Sequence, residues 1–215
     1  MKKLSRILIV LGLLLILVPI AGKIIVSYED NKLIKDWEKN QTSSEVLTEP
    51  DNMTPEQTYG ALRKVFEAEI VTTDAITEPK VYKNGKVLGI IKIDKIDIRM
   101  PIVEGTTQEN LSVGIGHIPG TAGLGMNGNA ALAGHRNYTF GRFFSRLDEL
   151  KKGDKVTIIT KTKTYTYIIY EKLVVLPDDV SVLKYKENDN IITLITCTPM
   201  RASTHRLIIH ARLKS

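Results

Sequence analysis

The sequence predicts an all-β domain with short helices, a closed barrel or a sandwich, preceded by an N-terminal transmembrane helix. Three observations support this prediction. The C-terminal part of the chain contains many short strand-like segments, separated by turn residues, and little helical periodicity. The N-terminus combines a basic start with a long apolar run. Between them lies a polar stretch rich in Thr, Ser, Glu and Pro, which is typical of a spacer.

The N-terminal segment has the features of a membrane anchor. Three basic residues among the first six precede an apolar run over residues 7–22, which extends to Val26. About 20 apolar residues cross a bilayer as a helix. A cleaved signal peptide shares these features, but residues 18–22 offer no A-x-A cleavage site, so an uncleaved anchor over residues 1–27 is favoured. The basic start predicts a single-pass protein of the cell membrane whose remaining chain is extracellular.

Residues 28–80 are predicted to be an extracellular stalk and linker that contains one short helix. Thr54, Pro55 and Gln57 have the layout of a helix start, with an N-cap, a proline at the first helical position and a reciprocal capping side chain. A helix over residues 54–70 would present one apolar face to the following domain, made of Leu62, Val65, Phe66 and Ile70. Regulation of access to a site in that domain is an alternative role for this segment.

Residues 81–215 are predicted to form the folded domain. Seven segments have the composition or alternation of strands: Val87–Ile93, Ile98–Val103, Asn129–His135, Lys155–Thr160, Lys163–Val175, Asn190–Cys197 and His205–Leu213. A helix is predicted over residues 140–150, where phenylalanine and leucine form an apolar stripe. The glycine-rich residues 114–129 are predicted to be a long loop.

Charge and cysteine content exclude several classes of protein. Residues 81–215 carry 20 basic and 12 acidic side chains, so the domain is basic. No basic motif is interleaved with aromatic residues, so no nucleic-acid partner is predicted. An anionic envelope surface, or simply a solvated face, accounts for the charge. A single cysteine excludes an intramolecular disulfide.

That cysteine, Cys197, ends an apolar β-branched strand and is followed by Thr198-Pro199, which cannot continue a central strand. A lone thiol at a strand end is a candidate nucleophile, although a small buried hydrophobe is its commoner role. His135 also stands at a strand end, and Arg206 opens the last strand. A thiolate needs a proton partner and its reaction needs an oxyanion donor, and these two residues are of the right types.

Three segments resemble the sortase signature in order and approximate spacing: Ala133-Gly134-His135-Arg136, Thr193 to Cys197, and Thr204 to Leu207. The resemblance runs from Val87 to Arg212. It implies an eight-stranded sortase-type β-barrel, in which the cysteine and arginine strands are neighbours and the histidine follows another strand. It also implies that His135, Cys197 and Arg206 are catalytic, and that Thr196 contributes to substrate binding.

The resemblance further implies a membrane-anchored cysteine transpeptidase. Cys197 would attack the Thr carbonyl of an LPxTG-like C-terminal sorting signal on secreted surface proteins and form a thioester. His135 would transfer the protons, Arg206 would hold the oxyanion or the substrate backbone, and residues 177–190 would set specificity. The acceptor would be an amine on a peptidoglycan precursor, and water would give hydrolysis when no amine is present.

No cofactor is expected. His205 and His210 lie five residues apart on one strand and so point to opposite faces, which disfavours a shared metal ion. Some sortases bind calcium, but the corresponding regions of this chain offer only Glu104, Glu109, Asp178 and Asp179. Calcium and other metals are therefore not predicted.

Several functional alternatives remain open. Class A-like or class D-like cell-wall anchoring is preferred, because neither the acidic-aromatic lid nor the second membrane span of the pilus class is evident in the sequence. Thr198-Pro199 and Thr204-His205 nevertheless resemble class C, so a pilus-polymerising sortase that uses a pilin lysine is an alternative. A hydrolytic cysteine peptidase and a non-catalytic binding module on the same barrel are the others.

Overall fold

The computed structural model describes residues 34–39, 54–71, 86–136, 143–186, 188–200 and 202–214, with side chains up to residue 66 in the second of these ranges. The predicted membrane anchor, residues 1–27, lies outside them. No helix within these ranges is both long enough and apolar enough to cross a membrane. Residues 34–39 are helical and belong to a first compact unit, residues 1–40, while residues 41–215 form a second.

The second unit begins with helix α1, Pro55–Val71. Its start has the predicted reciprocal capping. The Thr54 amide donates to the Gln57 side-chain oxygen at 2.9 Å, and the Gln57 amide donates to the Thr54 hydroxyl at 3.3 Å. Tyr59, Leu62 and Phe66 are buried along one face of the helix. Ile70, which was assigned to the same face, lies among residues whose side chains are not described.

Eight strands of the described chain close into a barrel in the order β1-β2-β3-β4-β7-β8-β6-β5. Their bounds are β1 Val87–Ile93, β2 Ile98–Glu104, β3 Ile115–His117, β4 Gly128–Ala133, β5 Lys155–Ile159, β6 Thr164–Val175, β7 Asn190–Thr198 and β8 His205–Leu213. Two pairs are parallel, β2 with β3 and β4 with β7, and the other six are antiparallel. The expected eight-stranded barrel is confirmed.

Short helical elements connect the strands. Helix α2, Gln108–Val113, precedes β3 and was not predicted. Single turns of 3-10 helix occupy Asp94–Ile96, Leu147–Glu149 and Val180–Leu183. The last of these lies between β6 and β7.

Two predictions of secondary structure were wrong in part. Strand β3 lies within the predicted loop, residues 114–129, because three residues held between β2 and β4 are too few to show a period. The predicted helix over residues 140–150 forms turns and one 3-10 turn in its described part, residues 143–150. Its apolar side chains are buried as expected. The Phe144 amide, however, donates to the His135 carbonyl at 3.0 Å, which ties the segment to another part of the chain.

Strand alternation divides the apolar residues into two layers. One cluster fills the barrel and includes Leu132, Leu194 and Ile209. The other includes residues of opposite parity on the same strands, such as Ile195 and Ile208, and packs them against α1 and the Val180–Leu183 turn. The barrel wall formed by β4, β7 and β8 is therefore covered by chain on its outer side. Cys197 belongs to this outer layer.

Candidate active site

The nucleophile candidate and the arginine lie side by side on neighbouring strands. Cys197 on β7 pairs with Arg206 on β8 in the antiparallel register, so both side chains project from the same face of the sheet. Cys197 is 3% exposed and Arg206 is 2% exposed. One guanidinium nitrogen of Arg206 donates to the carbonyls of Ser203 at 3.0 Å and His205 at 3.1 Å. These bonds fix the guanidinium at the start of β8.

His135 reaches the site from the adjacent strand. Strand β4 ends at Ala133, which pairs with Ile195 in the parallel register, and the Gly134 amide donates to the Ile195 carbonyl at 3.0 Å. His135 therefore lies in the loop directly after β4, as expected from the resemblance. Its side chain is 3% exposed, and its ring makes an edge contact with Phe143 at a centroid distance of 6.1 Å.

Gly134 allows this loop to approach the barrel closely. A Cβ atom at Gly134 would lie 2.7 Å from Cδ1 of Ile115 and 2.8 Å from Cδ2 of Phe144. Both neighbours are fully buried, so neither can move far. A residue without a side chain is therefore needed immediately before His135.

Helix α1 covers the three candidate residues. The Phe66 ring lies 5.6 Å from the His135 ring, in an edge contact, and 5.1 Å from the Arg206 guanidinium carbon. Tyr59, Leu62 and Phe66 share one buried cluster with Cys197, Val182 and Leu183. Cys197 as a whole is only 3% exposed. Binding of a peptide at its thiol would therefore require movement of α1 or of the Val180–Leu183 turn.

Tyr59 brings a phenol into this covered region. Its hydroxyl is buried and has no hydrogen-bond partner among the described residues. Burial raises the pKa of Tyr59 to about 12; the positive charge of Arg206 acts against this rise, while Asp179, Asp178 and Cys197 add to it. The phenol is therefore neutral at physiological pH. An unpaired buried hydroxyl costs about 1–3 kcal/mol, which weakens the packing of α1 on the site.

Thr196 is fully buried, and its hydroxyl donates to the Gly134 carbonyl at 2.7 Å. This bond joins the strand of the cysteine to the loop of the histidine. The hydroxyl is thus already engaged within the protein in this conformation. Substrate binding by Thr196 stays a prediction.

Asn129, Thr193 and His210 form a polar network on the outer face of the barrel, the face that carries Cys197. The buried Thr193 hydroxyl donates to the Asn129 side-chain oxygen at 2.7 Å and lies 2.8 Å from Nδ1 of His210. Because the single hydroxyl proton goes to Asn129, Nδ1 of His210 carries the proton that completes the second bond. The Asn129 amide donates to the Val182 carbonyl at 3.2 Å. The network therefore holds the Val180–Leu183 turn against the barrel.

His117 is a buried residue whose ring is held by hydrogen bonds. Nδ1 lies 3.0 Å from a carboxylate oxygen of Glu104, and Nε2 lies 3.0 Å from the Ala122 carbonyl and 3.1 Å from the Thr121 hydroxyl. Burial alone would lower the pKa of His117, but the Glu104 carboxylate and the Ala122 carbonyl outweigh it and raise the pKa. Within the described ranges, no three His, Cys, Asp or Glu side chains are grouped so that they could hold a metal ion.

Comparison with known proteins identifies the family. A model of the sortase domain matches residues 91–214. Sortase D of Bacillus subtilis is 30% identical over 181 residues, which cover 83% of this chain and 85% of that protein. This chain belongs to the sortase family. Sortase A of Streptococcus agalactiae is 36% identical over 151 residues, covering 67% of this chain and 60% of the relative.

The fold agrees with solved sortase structures. A Clostridium perfringens Sortase D5 transpeptidase superposes with a TM-score of 0.62 at 29% identity, covering 87% of this chain and 99% of that one. Sortases are cysteine transpeptidases. The catalytic roles of Cys197, His135 and Arg206 are the roles that the family resemblance implies for these positions.

Sequence reasoning did not identify two residues that contribute to this sortase site. Tyr59 lies three positions before Leu62, on the face already assigned as apolar, so the helical period could have found it. Arg136 follows His135 directly, and its side chain contacts the end of β7. No pattern in the sequence indicates that contact, because 62 residues separate Arg136 from its partner Thr198.

Proposed function

We propose that this sortase is a single-pass protein of the cell membrane with an extracellular catalytic domain. It cleaves an LPxTG-like sorting signal on secreted surface proteins and transfers the acyl group to an amine on a peptidoglycan precursor. The observation that carries the proposal is the pairing of Cys197 with Arg206 across β7 and β8, next to the loop of His135. The apolar run over residues 7–26 supports the anchor.

The chemistry requires two steps at one thiol. The Cys197 thiolate attacks the Thr carbonyl carbon of the motif, and Arg206 donates to the oxyanion or to the substrate backbone. The Thr–Gly C–N bond then breaks, and His135 gives its proton to the leaving glycine amine, which leaves a thioester on Cys197. In the second step the acceptor amine attacks the thioester and gives a proton to His135. The new amide forms as the thiolate leaves.

Transfer to an amine must outcompete transfer to water. Cys197 lies in a buried layer with Ile195, Ile208, Val182 and Leu183, so few water molecules would approach the thioester once the peptide is bound. An amine held next to the thioester has a high effective concentration. Hydrolysis is therefore the slower route and becomes visible when no acceptor is present.

The first test is mass spectrometry of residues 54–215 incubated with an LPxTG-type peptide library and a mixture of amine acceptors. We expect amide-ligated products that disappear in Cys197→Ala and fall sharply in His135→Ala and Arg206→Ala. We also expect the same products in the presence of EDTA, since the proposal includes no metal. Hydrolysed products alone, with every acceptor, would instead favour a cysteine peptidase. Substrate binding without any turnover would favour a binding module.

One observation favours a second candidate, a pilus-polymerising sortase. An aromatic side chain, Phe66, lies over the catalytic residues in the way implied for the lid of the pilus class, although it is on a helix rather than in an acidic-aromatic loop. Acceptor choice separates the two. Joining of the sorting peptide to a lysine side chain of a folded pilin, in preference to a peptidoglycan stem peptide, would support the pilus candidate.

A further inference from the structure

Arg136 joins the loop of the catalytic histidine to the strand of the nucleophile. Its Nη1 donates to the Thr198 hydroxyl at 2.9 Å and to the Cys197 carbonyl at 3.4 Å. Its Nε donates to the Ser145 carbonyl at 3.4 Å, and its Nη2 lies 2.9 Å from a carboxylate oxygen of Asp148. The side chain is 8% exposed. One guanidinium therefore contacts both residues at the end of β7 and two residues after the loop.

These contacts use what an arginine offers and a lysine does not. A planar guanidinium has five N–H donors in a fixed fork, so it can hold several acceptors at set angles. A charge buried to this degree is costly unless it is paired and hydrogen-bonded. Asp148 supplies the counter-charge, and the two carbonyls and the hydroxyl supply the remaining acceptors. The position of the guanidinium is therefore strongly defined.

The hydrogen bonds of Arg136 to β7 follow His135 in the chain, and other hydrogen bonds to β7 precede it. Before the histidine, the Gly134 amide donates to Ile195 and the Thr196 hydroxyl donates to Gly134, both bonds between β7 and the loop. At the histidine, its carbonyl accepts from the Phe144 amide. After the histidine, Arg136 is the described residue whose side chain returns to β7. His135 is thus fixed to the strand of Cys197 from both directions.

We propose that Arg136 is a positioning residue for the sortase reaction. It sets the distance and orientation of the His135 imidazole relative to the Cys197 thiol by clamping the loop to the carbonyl of Cys197 and the hydroxyl of Thr198. It does not act on the reacting atoms directly, since its guanidinium binds the Cys197 and Ser145 carbonyls, the Thr198 hydroxyl and the Asp148 carboxylate. This role rests on the proposed function, because it acts through the proton transfers of His135.

Lys172 offers a matched control. Its ammonium donates to the carbonyls of Asp148 and Leu150, both at 3.0 Å, so it also holds the segment that follows the histidine loop through backbone oxygens. Its ammonium binds these two backbone oxygens and has no part in the proposed reaction. Replacing a cation that only stabilises this segment should therefore lower the melting temperature and leave kcat unchanged, as expected for Lys172. Replacing a positioning residue should lower kcat.

The test compares Arg136→Met, Arg136→Lys, Thr198→Val and Lys172→Met in the full-length protein. Three quantities are measured: kcat and KM for peptide ligation to an amine, the melting temperature, and the pH profile of Cys197 alkylation by iodoacetamide. We expect Arg136→Met to lower kcat roughly ten- to a hundredfold with KM within about twofold, because small misplacements of reacting groups have effects of this size. The alkylation profile should move along the pH axis. Arg136→Lys should restore part of the rate.

Coupling between Arg136 and Thr198 provides the sharpest readout. If Arg136 acts by holding Thr198, the double variant Arg136→Met/Thr198→Val should lose no more kcat than Arg136→Met alone. Lys172→Met should lower the melting temperature without lowering kcat. Independent, multiplying losses in the double variant would overturn the proposal. So would a fall in kcat in Lys172→Met as large as that in Arg136→Met.

Failure of the proposed function can be distinguished from failure of the positioning role of Arg136. If the parent chain ligates no peptide, the reaction is not the one proposed, but the alkylation profile still reports whether Arg136 couples His135 to Cys197. An unmoved profile in a folded Arg136→Met would refute the positioning role. If Arg136→Met does not fold, Thr198→Val and Arg136→Lys test the same contact between Arg136 and Thr198. Unchanged kcat and an unchanged profile in both would equally refute it.

Discussion

Single residues couple the stability of this sortase to pH, and His117 is the clearest case. Its imidazole is buried between the Glu104 carboxylate, the Thr121 hydroxyl and the Ala122 carbonyl. The Glu104 carboxylate and the Ala122 carbonyl favour the protonated ring strongly enough that the pKa of His117 is raised in spite of burial. A group whose folded pKa is raised stabilises the fold below its unfolded pKa, and this stabilisation is lost as the pH rises through the folded pKa.

We therefore expect the free energy of unfolding to fall as the pH is raised above 6.5, the ordinary pKa of histidine. Glu104→Gln should abolish or reverse this dependence, because burial lowers the pKa of His117 and the carboxylate no longer opposes it. It should also lower stability by about 1–3 kcal/mol below pH 6.5, where the charged hydrogen bond is fully formed. Urea denaturation of both proteins between pH 5 and pH 9 provides the measurement. Parallel stability curves for parent and variant would show that the pair does not titrate in this range.

Thr196 gives a second prediction at this scale. Replacing it by valine keeps the shape and removes the donor to the buried Gly134 carbonyl. Loss of a partner for a buried polar group costs about 1–3 kcal/mol, so Thr196→Val should be less stable by about that amount in urea denaturation. Thr196→Ser keeps the hydroxyl and should lose less. A rise in KM larger than the fall in kcat, without a stability loss, would instead support the predicted role in substrate binding.

The sequence predicted the candidate residues of the site better than their surroundings. Residue type and position at strand ends, which are local properties, identified Cys197, His135 and Arg206 as candidates, and the order of three segments shared with sortases supported them. Arg136 and the buried pair of Thr193 with His210 depend on contacts between strands that are distant in sequence. Such contacts follow from the barrel order, which periodicity alone does not define.

Among the elements, α1 has the largest consequence for function. It places Tyr59, Leu62 and Phe66 on the outer wall of the barrel, with Phe66 against both His135 and Arg206. Each buried leucine or phenylalanine contributes about 1.5–3 kcal/mol, while a helix of 17 residues is only marginally stable on its own. Opening of α1 should therefore cost several kcal/mol and limit access to Cys197.

Two substitutions in α1 should change that access in opposite directions. Phe66→Ala removes a buried ring and should raise the rate of Cys197 alkylation at least about tenfold, since about 1.4 kcal/mol corresponds to a factor of ten. Gly60 has open space around its Cα, so Gly60→Ala should stabilise the helix by about 0.5–1 kcal/mol and slow alkylation. The exposed Lys64 provides the control, Lys64→Ala. Equal rates in all four proteins would mean that α1 does not control access.

Helices and strands were predicted correctly where the sequence contains capping residues or an apolar pattern that repeats over many residues. The start of α1 was predicted from Thr54, Pro55 and Gln57, and both reciprocal bonds are present. The apolar stripe at residues 143–150 was correctly placed in the core, but its helical conformation was not. Burial fixes which side chains face inward. The backbone of this segment is held by the hydrogen bond from the Phe144 amide to the His135 carbonyl, which no local sequence pattern predicts.

At the scale of the whole molecule, the site depends on closure of the barrel. One pairing that closes it, that of β1 with β5, does not involve the strands of the site and is called the seam below. Strand β7 takes part in two pairings, with β4 and with β8, and these bring His135, Cys197 and Arg206 together. The ring of strands also includes the pairing of β1 with β5, which covers three positions, from Ile90 with Ile159 to Lys92 with Thr157. Strand β3 likewise pairs over three positions with β2 and over two with β4. A short seam makes closure sensitive to single residues there.

Gly89 is the residue at which this sensitivity should be greatest. A Cβ atom at Gly89 would lie 2.5 Å from the backbone oxygen of Ile159, a contact that the sheet cannot relieve by moving a side chain. We expect Gly89→Ala to lower the free energy of unfolding by about 1–3 kcal/mol, the usual cost of overpacking, or to separate β1 from β5. Gly60→Ala, in open space, should not destabilise the protein. Hydrogen exchange would show the seam amides of Ile90 to Lys92 losing protection first, with β7 and β8 following only at global unfolding. A Gly89→Ala protein as stable as the parent would show that the ring of strands tolerates a gap at β1 and β5, and that the β4-β7-β8 wall holds His135, Cys197 and Arg206 without closure.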